Sequence, residues 1–146
     1  YLTQIKAAVP PFDLPMTDAT VANTFIGVMT TPDRDASQRA WSALLGSKGW
    51  AFDTKITVLN RAYGKAVDGR YPVAVVPMPG QCMVEIDQVA LPVASNTRYA
   101  GQYSLALRLP ATNDDMLLAV GWQLSVVGEQ RSLRGPAGEH VQLLAG

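Results

Sequence analysis

The segment "MLLAVGWQLSVV", Met116 to Val127, is apolar on both alternating parities: Met116, Leu118, Val120, Trp122, Leu124 and Val126 are opposed mainly by Leu117, Ala119, Gly121 and Ser125. A strand wetted on one face cannot carry such a run, so the pattern requires an element covered on both sides, by its own core and by a second layer or a partner. The reading is a central strand, and the chain must build at least two layers around it.

Period two recurs elsewhere. In "FDTKITVLNRAY" Phe52, Thr54, Ile56 and Val58 alternate with Asp53, Lys55 and Thr57, and in "QYSLALRL" Tyr103, Leu105, Leu107 and Leu109 alternate with Gln102, Ser104 and Arg108, the signature of half-buried strands. Asp68-Gly69 supplies hairpin chemistry. Tyr71 to Met78, flanked by proline, reads as an edge strand. "MVEIDQVALPV" begins with Val84 and Ile86 on one face and continues with Val89, Leu91 and Val93 on the other, a switch that a bulge near Asp87 and Gln88 reconciles. "HVQLLAG" supplies a last strand. "ASNTRYAG" and "GEQRSLRGPAGE" read as loops. "PATNDD" reads as the connection before the apolar run, with Asp114 and Asp115 as a solubilising turn rather than a catalytic or metal-binding pair.

One helix interrupts the strands. Thr31 can cap it, Pro32 suits its first turn, Asp33 and Asp35 favour the positive end of its dipole, and Gly46 fits its exit. Ala36, Ala40, Trp41, Leu44 and Leu45 form its apolar stripe. Ahead of it, residues 1–18 hold three prolines and no sustained period, an extended arm able to pack on its own domain or, as the low charge favours, on a neighbour. The expected architecture is therefore all-β: a β-sandwich or jelly roll of about seven to eight strands over 19–146, one short helix from about Pro32 to Leu45, and an arm over 1–18. No internal repeat is visible in the sequence.

Charged residues make up 16% of the 146 and apolar residues 48%, so apolar surface beyond the core is expected to meet other subunits, and a homo-oligomer or related shell subunits are the expected partners. Twelve basic and twelve acidic side chains cancel, which gives no electrostatic indication of nucleic acid. No run is long enough for a spanning helix, so no membrane insertion is expected. Because the sequence opens on Tyr1, a basic extension or targeting signal outside it stays open.

The search for chemistry gives mostly exclusions. Cys82, the only cysteine, reads as a small buried thiol without a nearby base. His140 is the only histidine and reads as a strand-edge residue beside Glu139, not as part of a triad. Glu85 and Asp87 share a strand side and form the best carboxylate pair on paper, with a solvent-facing surface as the simpler reading. "TNDDM" offers too few oxygens for calcium. Trp41, Trp50, Trp122, Tyr63, Tyr71, Tyr99 and Tyr103 could form a stacking platform, but Tyr103 and Trp122 lie on buried parities, and Arg61, Arg70 and Arg98 are scattered.

No catalytic, cofactor-binding or metal residue is therefore assigned, no cofactor is expected, and whether a small-molecule ligand binds stays open. The expectation is a structural or assembly protein and not an enzyme: a coat or capsid subunit of a viral or phage shell, self-associating through apolar surfaces and its arm. The alternative is a β-sandwich binding or accessory module of a bacterial secretion or surface system, recognising a protein or glycan through loops that carry Arg98, Tyr99, Arg131 and Arg134. The virion is the expected location under the first reading, and a secreted or periplasmic one under the second.

Overall fold

The computed structural model describes residues 5–19, 24–90 and 104–144. The first half runs β1 (Ile26–Thr31), α1 (Arg34–Leu45), β2 (Trp50–Lys55), α2 (Thr57–Ala62), β3 (Arg70–Met78) and β4 (Cys82–Gln88). The second runs β5 (Ser104–Arg108), α3 (Asp114–Ala119), β6 (Gln123–Val127), β7 (Gln130–Arg134) and β8 (His140–Leu144). Each half builds a four-stranded mixed sheet with the same topology, β1-β4-β3-β2 and β5-β8-β7-β6. In each, the first strand lies parallel to the last and the other neighbours are antiparallel. The all-β sandwich or jelly roll is thus corrected to a mixed α+β fold of two repeated units. A parallel closure needs a crossover rather than a hairpin, and alternation along a strand does not record which neighbour it chooses.

The apolar run at Met116 is not a central strand. Asn113 caps α3, its side chain accepting from the Met116 N–H, and Asp114 and Asp115 sit in the first turn, where acidic groups suit the helix dipole. Leu117 is the residue of this helix that reaches the core. Gly121, at φ 99°, ends the segment before Trp122 and β6. A six-residue helix is too short to show its period, so its apolar residues mimic a doubly covered strand. Asp114 pairs with Arg131 of β7 and helps dock the helix start.

Helix α1 starts two residues later than the sequence suggests. Asp33, not Thr31, caps it by accepting from the Ala36 N–H. Thr31 instead turns inward, its hydroxyl 2.8 Å from that of Ser37 and both buried. Gly46 closes the helix in the left-handed region and donates to the Ser42 carbonyl. Ile56 to Ala62 does not continue β2 but turns into α2, and the Asp68-Gly69 stretch leads from that helix into β3 rather than joining two strands. Asn60, buried, holds this turn by donating to Val67 and Gly69 carbonyls.

β3 is an inner strand despite two prolines. Pro72 stands opposite Asp53 of β2, outside the stretch registered with β4, whereas Pro77 stands opposite Met83 of β4, outside the stretch registered with β2. Each proline therefore has a strand on one side only, where a missing N–H does least harm. β4 pairs from Cys82 to Asp87 with β3 without the expected bulge. Val84 and Ile86 face α1 in the core, while Met83 and the following carboxylates face the opposite way.

One core serves both halves. Ala40, Trp41 and Leu44 of α1 pack with Ala74, Val76, Val84 and Ile86 of the first sheet and with Leu117, Trp122, Leu133 and Val141 of the second half. Trp122 donates its indole N–H to the Ala40 carbonyl at 2.9 Å, and its ring meets that of Trp41 edge-on at 5.3 Å. A second cluster on the other face of the first sheet contains Tyr71, Val73, Val75, Met83 and Val89, covered by Ile56 and Leu59 of α2 and by Phe12 and Leu14 of the N-terminal segment. That segment rests on its own sheet: Phe12 meets the Trp50 ring edge-on at 5.4 Å, and Gln81 donates to Asp13. Among the described residues no helix is long and apolar enough to cross a membrane.

Candidate functional site

The faces of the two sheets that turn away from the shared core carry the polar chemistry. In the first sheet, register aligns Trp50, Val75, Glu85 and Val28 across β2, β3, β4 and β1. In the second, it aligns Ser104, His140, Arg134 and Gln123 across β5, β8, β7 and β6. The sheets adjoin where Leu105 lies against Gly27, and a cleft of about 90 Å³ opens at this seam, lined by Val28, Ser104 and His140 together with Trp41, Val84 and Glu139. Glu85 is thus one strand in from the seam on one side, and His140 one strand in on the other.

Glu85 and Asp87 do project together, but not into solvent. Asp87 is 3% exposed and Glu85 half-buried, because α2 and the N-terminal segment cover that face. The two carboxyls hydrogen-bond to each other. Burial pushes Asp87 up to about 7, and the neighbouring Glu85 charge and hydrogen bond add to the shift. Burial also raises Glu85, opposed by its hydrogen bond from Asp87. The pair therefore tends to hold one proton between two carboxyls near neutrality, a state that arises when like charges cannot both ionise cheaply. The Asp87 Oδ1 has no hydrogen-bond partner among the described residues.

Glu139 plays a different part. It accepts from the Trp41 indole at 3.1 Å and from the Ala137 N–H at 2.9 Å. Burial raises its carboxyl, while these bonds and one from its own N–H lower it. A Cβ at Gly135 would fall on the Glu139 carboxyl, so glycine there makes room for the anchor that ties α1 to the second half. His140 follows this anchor at the start of β8 and turns to the other face. Cys82 is half-buried rather than buried, with its Sγ 3.3 Å from the Gly80 carbonyl. Trp41 and Trp122 belong to the core and Trp50 to the packing of the N-terminal segment, so they form no stacking platform. Arg98, Tyr99 and Tyr103 lie outside the described residues. Arg131 and Arg134, expected on a loop, belong to β7.

Comparison places the fold among known structures. The sequence matches no protein-family model and none of the curated proteins. The structure is similar over 90% of this chain and 98% of the other to a glyoxalase family protein from Bacillus cereus, with a TM-score of 0.62 at 14% identity. It is similar to the fosfomycin resistance protein FosX from Listeria monocytogenes, solved with Mn(II) and sulfate, with a TM-score of 0.55 at 10% identity over 90% of this chain and 94% of that one. The trypanothione-dependent glyoxalase I of Leishmania major gives 0.53 at 15% identity over 86% and 87%.

A divalent cation like that of FosX needs several converging donors. No group of three or more His, Cys, Asp or Glu that could hold a metal occurs among the described residues. Along the row that crosses the seam, Val28 and Ser104 stand between Glu85 and His140, and both members of the carboxyl pair are held toward the protonated form. The described residues do not fit such an ion.

The shell-subunit expectation and its alternative both rested on a jelly-roll or sandwich architecture that the chain does not have, and the expectation of no enzyme rested on the absence of recognisable catalytic motifs. All three are corrected by the architecture and by its solved neighbours, which include glyoxalase I and FosX. The fold of this chain is the mixed two-sheet fold of the glyoxalase and fosfomycin-resistance proteins.

Proposed function

We propose that this protein is an enzyme that moves a proton on a small organic substrate bound against the face of the first sheet that turns away from the shared core, with Glu85 and Asp87 as its acid–base pair. The observation that carries the reading is Asp87: buried, hydrogen-bonded to Glu85, raised to about 7, and with one carboxyl oxygen still unpartnered among the described residues. A general base works best when its pKa lies near the working pH. The ionised carboxyl of the pair accepts a proton from a carbon next to a carbonyl, and the pair returns a proton to carbon or oxygen of the same intermediate, so the reaction is an isomerisation or epimerisation.

The test is proton exchange. Hydroxyacetone and 2-oxo acids are incubated with the protein in D2O at pD about 7, and deuterium entry next to the carbonyl is followed by NMR. Wild type is expected to accelerate exchange, and Glu85→Gln to lower that acceleration about 100-fold or more. Equal exchange by wild type and variant, or none above buffer across the panel, overturns the reading.

Self-association as a homo-oligomer is also proposed. Val126 and Val127 on the edge strand β6 are 58% and 73% exposed, and Met116 and Leu118 of α3 add apolar surface. Light scattering is expected to give a dimer that Val126→Glu dissociates.

A further inference from the structure

The cleft of about 90 Å³ at the seam of the two sheets has Met29, Val84, Leu105 and Trp41 on its lining, all of them in the shared core or packed against it. These side chains wall it on the α1 side of the sheets, away from Glu85 and Asp87. Gly27 lies between them, inside β1 and opposite Val84. A glycine within a strand weakens it, and commonly marks a bulge or the close approach of another backbone or a ligand. The register of β1 with β4 is unbroken from Ile26 to Thr31, which excludes a bulge, and Gly27 does not take a positive φ. A Cβ there would meet only the Leu105 side chain, at an ordinary contact distance of 3.7 Å. No described backbone presses on Gly27, and the space it leaves belongs to the cleft. Glu139 supplies the polar end. Its two carboxyl oxygens accept from the Trp41 indole and the Ala137 N–H, which leaves acceptor capacity on both. The ion pairs among the described residues join Arg34 to Asp35 and Arg131 to Asp114, so no described cation offsets Glu139. The other titratable group on the lining is His140, whose side chain turns to the other face.

We propose that this cleft is a second binding site, for a small protonated amine with a compact branched alkyl body: its ammonium meets the Glu139 carboxylate, and its methyl groups lie over Gly27 against Val84 and Leu105. An ammonium brings donors only and carries the opposite charge, so it matches a half-buried carboxylate that lacks a cation. A neutral alcohol of the same shape would bond one oxygen and leave the charge unpaired. A carboxylate ligand would set like charges side by side. The alkyl part follows from the apolar walls, and its size from the volume. An apolar cavity of about 150 Å³ takes benzene, and by that measure the cleft takes roughly four non-hydrogen atoms, the size of isopropylammonium. The site lies across the sheet from the Glu85–Asp87 pair, and neither proposal depends on the other.

Isopropylammonium, methylammonium, which keeps the charge without the body, and 2-propanol, which keeps the body without the charge, are the probes. Each is titrated into the intact chain at pH 8 and constant ionic strength, while the Gly27 amide and the Trp41 indole N–H are followed by NMR. Isopropylammonium is expected to shift both signals with a Kd of about 1 mM or below, at least about tenfold tighter than either comparison probe. The Trp50 indole, on the other face of the first sheet, is expected to stay unmoved. Gly27→Ala places a methyl group where the ligand's would lie. Because alanine suits a strand better than glycine, this variant is expected to melt no lower than wild type and yet to bind isopropylammonium about tenfold more weakly. Glu139→Gln removes the charge at nearly constant shape and is expected to abolish the preference for isopropylammonium over 2-propanol. Equal affinity for isopropylammonium and either comparison probe, no shift at Gly27 and Trp41, or undiminished binding by Gly27→Ala overturns the site.

Discussion

Asp87→Asn is expected to stabilise the protein at pH 8 by about 2–4 kcal/mol and to remove most of the dependence of stability on pH. The sign follows from where the proton sits. The Asp87 carboxyl titrates near 7 in the folded protein against 3.8 in a free chain. Below about pH 3.8 both states are protonated and the residue contributes nothing. Between there and pH 7 the unfolded chain releases the proton and the folded one keeps it, so native stability falls by up to about 1.4 kcal/mol per pH unit. Above 7 the loss is complete. Asparagine is uncharged at every pH, fits the same space and can still donate to Glu85, so it avoids the penalty of an ionised buried acid. Glu85 and Glu139, both raised, leave a smaller slope of the same sign. Urea unfolding at pH 4.5 and pH 8 checks the expectation. Wild-type stability that rises over this interval would show that burial does not penalise the Asp87 charge.

The second large effect is expected at the shared core. Trp122→Ala removes a side chain that is 1% exposed, together with its edge-on contact with Trp41 and its hydrogen bond to the Ala40 carbonyl. Loss of a buried tryptophan costs about 3–5 kcal/mol, which for a chain of this size lowers the melting temperature by roughly 10 °C. Trp122→Phe keeps a ring against Trp41 but loses the N–H donor and part of the buried indole volume, so its loss is expected to be about half as large. Thermal melts of the two variants measure both. A loss under about 1 kcal/mol in Trp122→Ala would mean that the halves do not depend on a common core.

The pieces of this fold were more legible than their assembly. Alternation located β4, β5 and β8, and the Asp-rich start and glycine exit located α1. It did not distinguish a parallel from an antiparallel neighbour, so the closures of β1 on β4 and β5 on β8 were invisible, and with them the repeat. Thr57–Ala62 and Asp114–Ala119 are each under two turns, too short for a helical period to separate from a strand pattern. Glu85 and Asp87 were correctly placed on one side of a strand. Their burial was not legible, because it depends on Phe12, Leu14, Ile56 and Leu59 arriving from other elements to cover that side. The Glu139 anchor was hidden for a related reason: its partner Trp41 is distant in the chain, and the only local trace is the space that Gly135 leaves for it.

The parallel closures also set the order in which the chain can assemble. Ile26 has no neighbouring strand until Met83 is available, and Ser104 has none until His140, whereas β3 and β4 meet across a tight turn. In each half the earliest strand must wait for the latest. Closing so long a loop is entropically slow and comes before the contacts that reward it. Folding is therefore expected to begin at the local β3–β4 and β6–β7 pairs, and docking of the two outlying strands is the late, rate-determining event. Because α1 supplies core to both sheets, neither docking reaches its full stabilisation until the other has occurred.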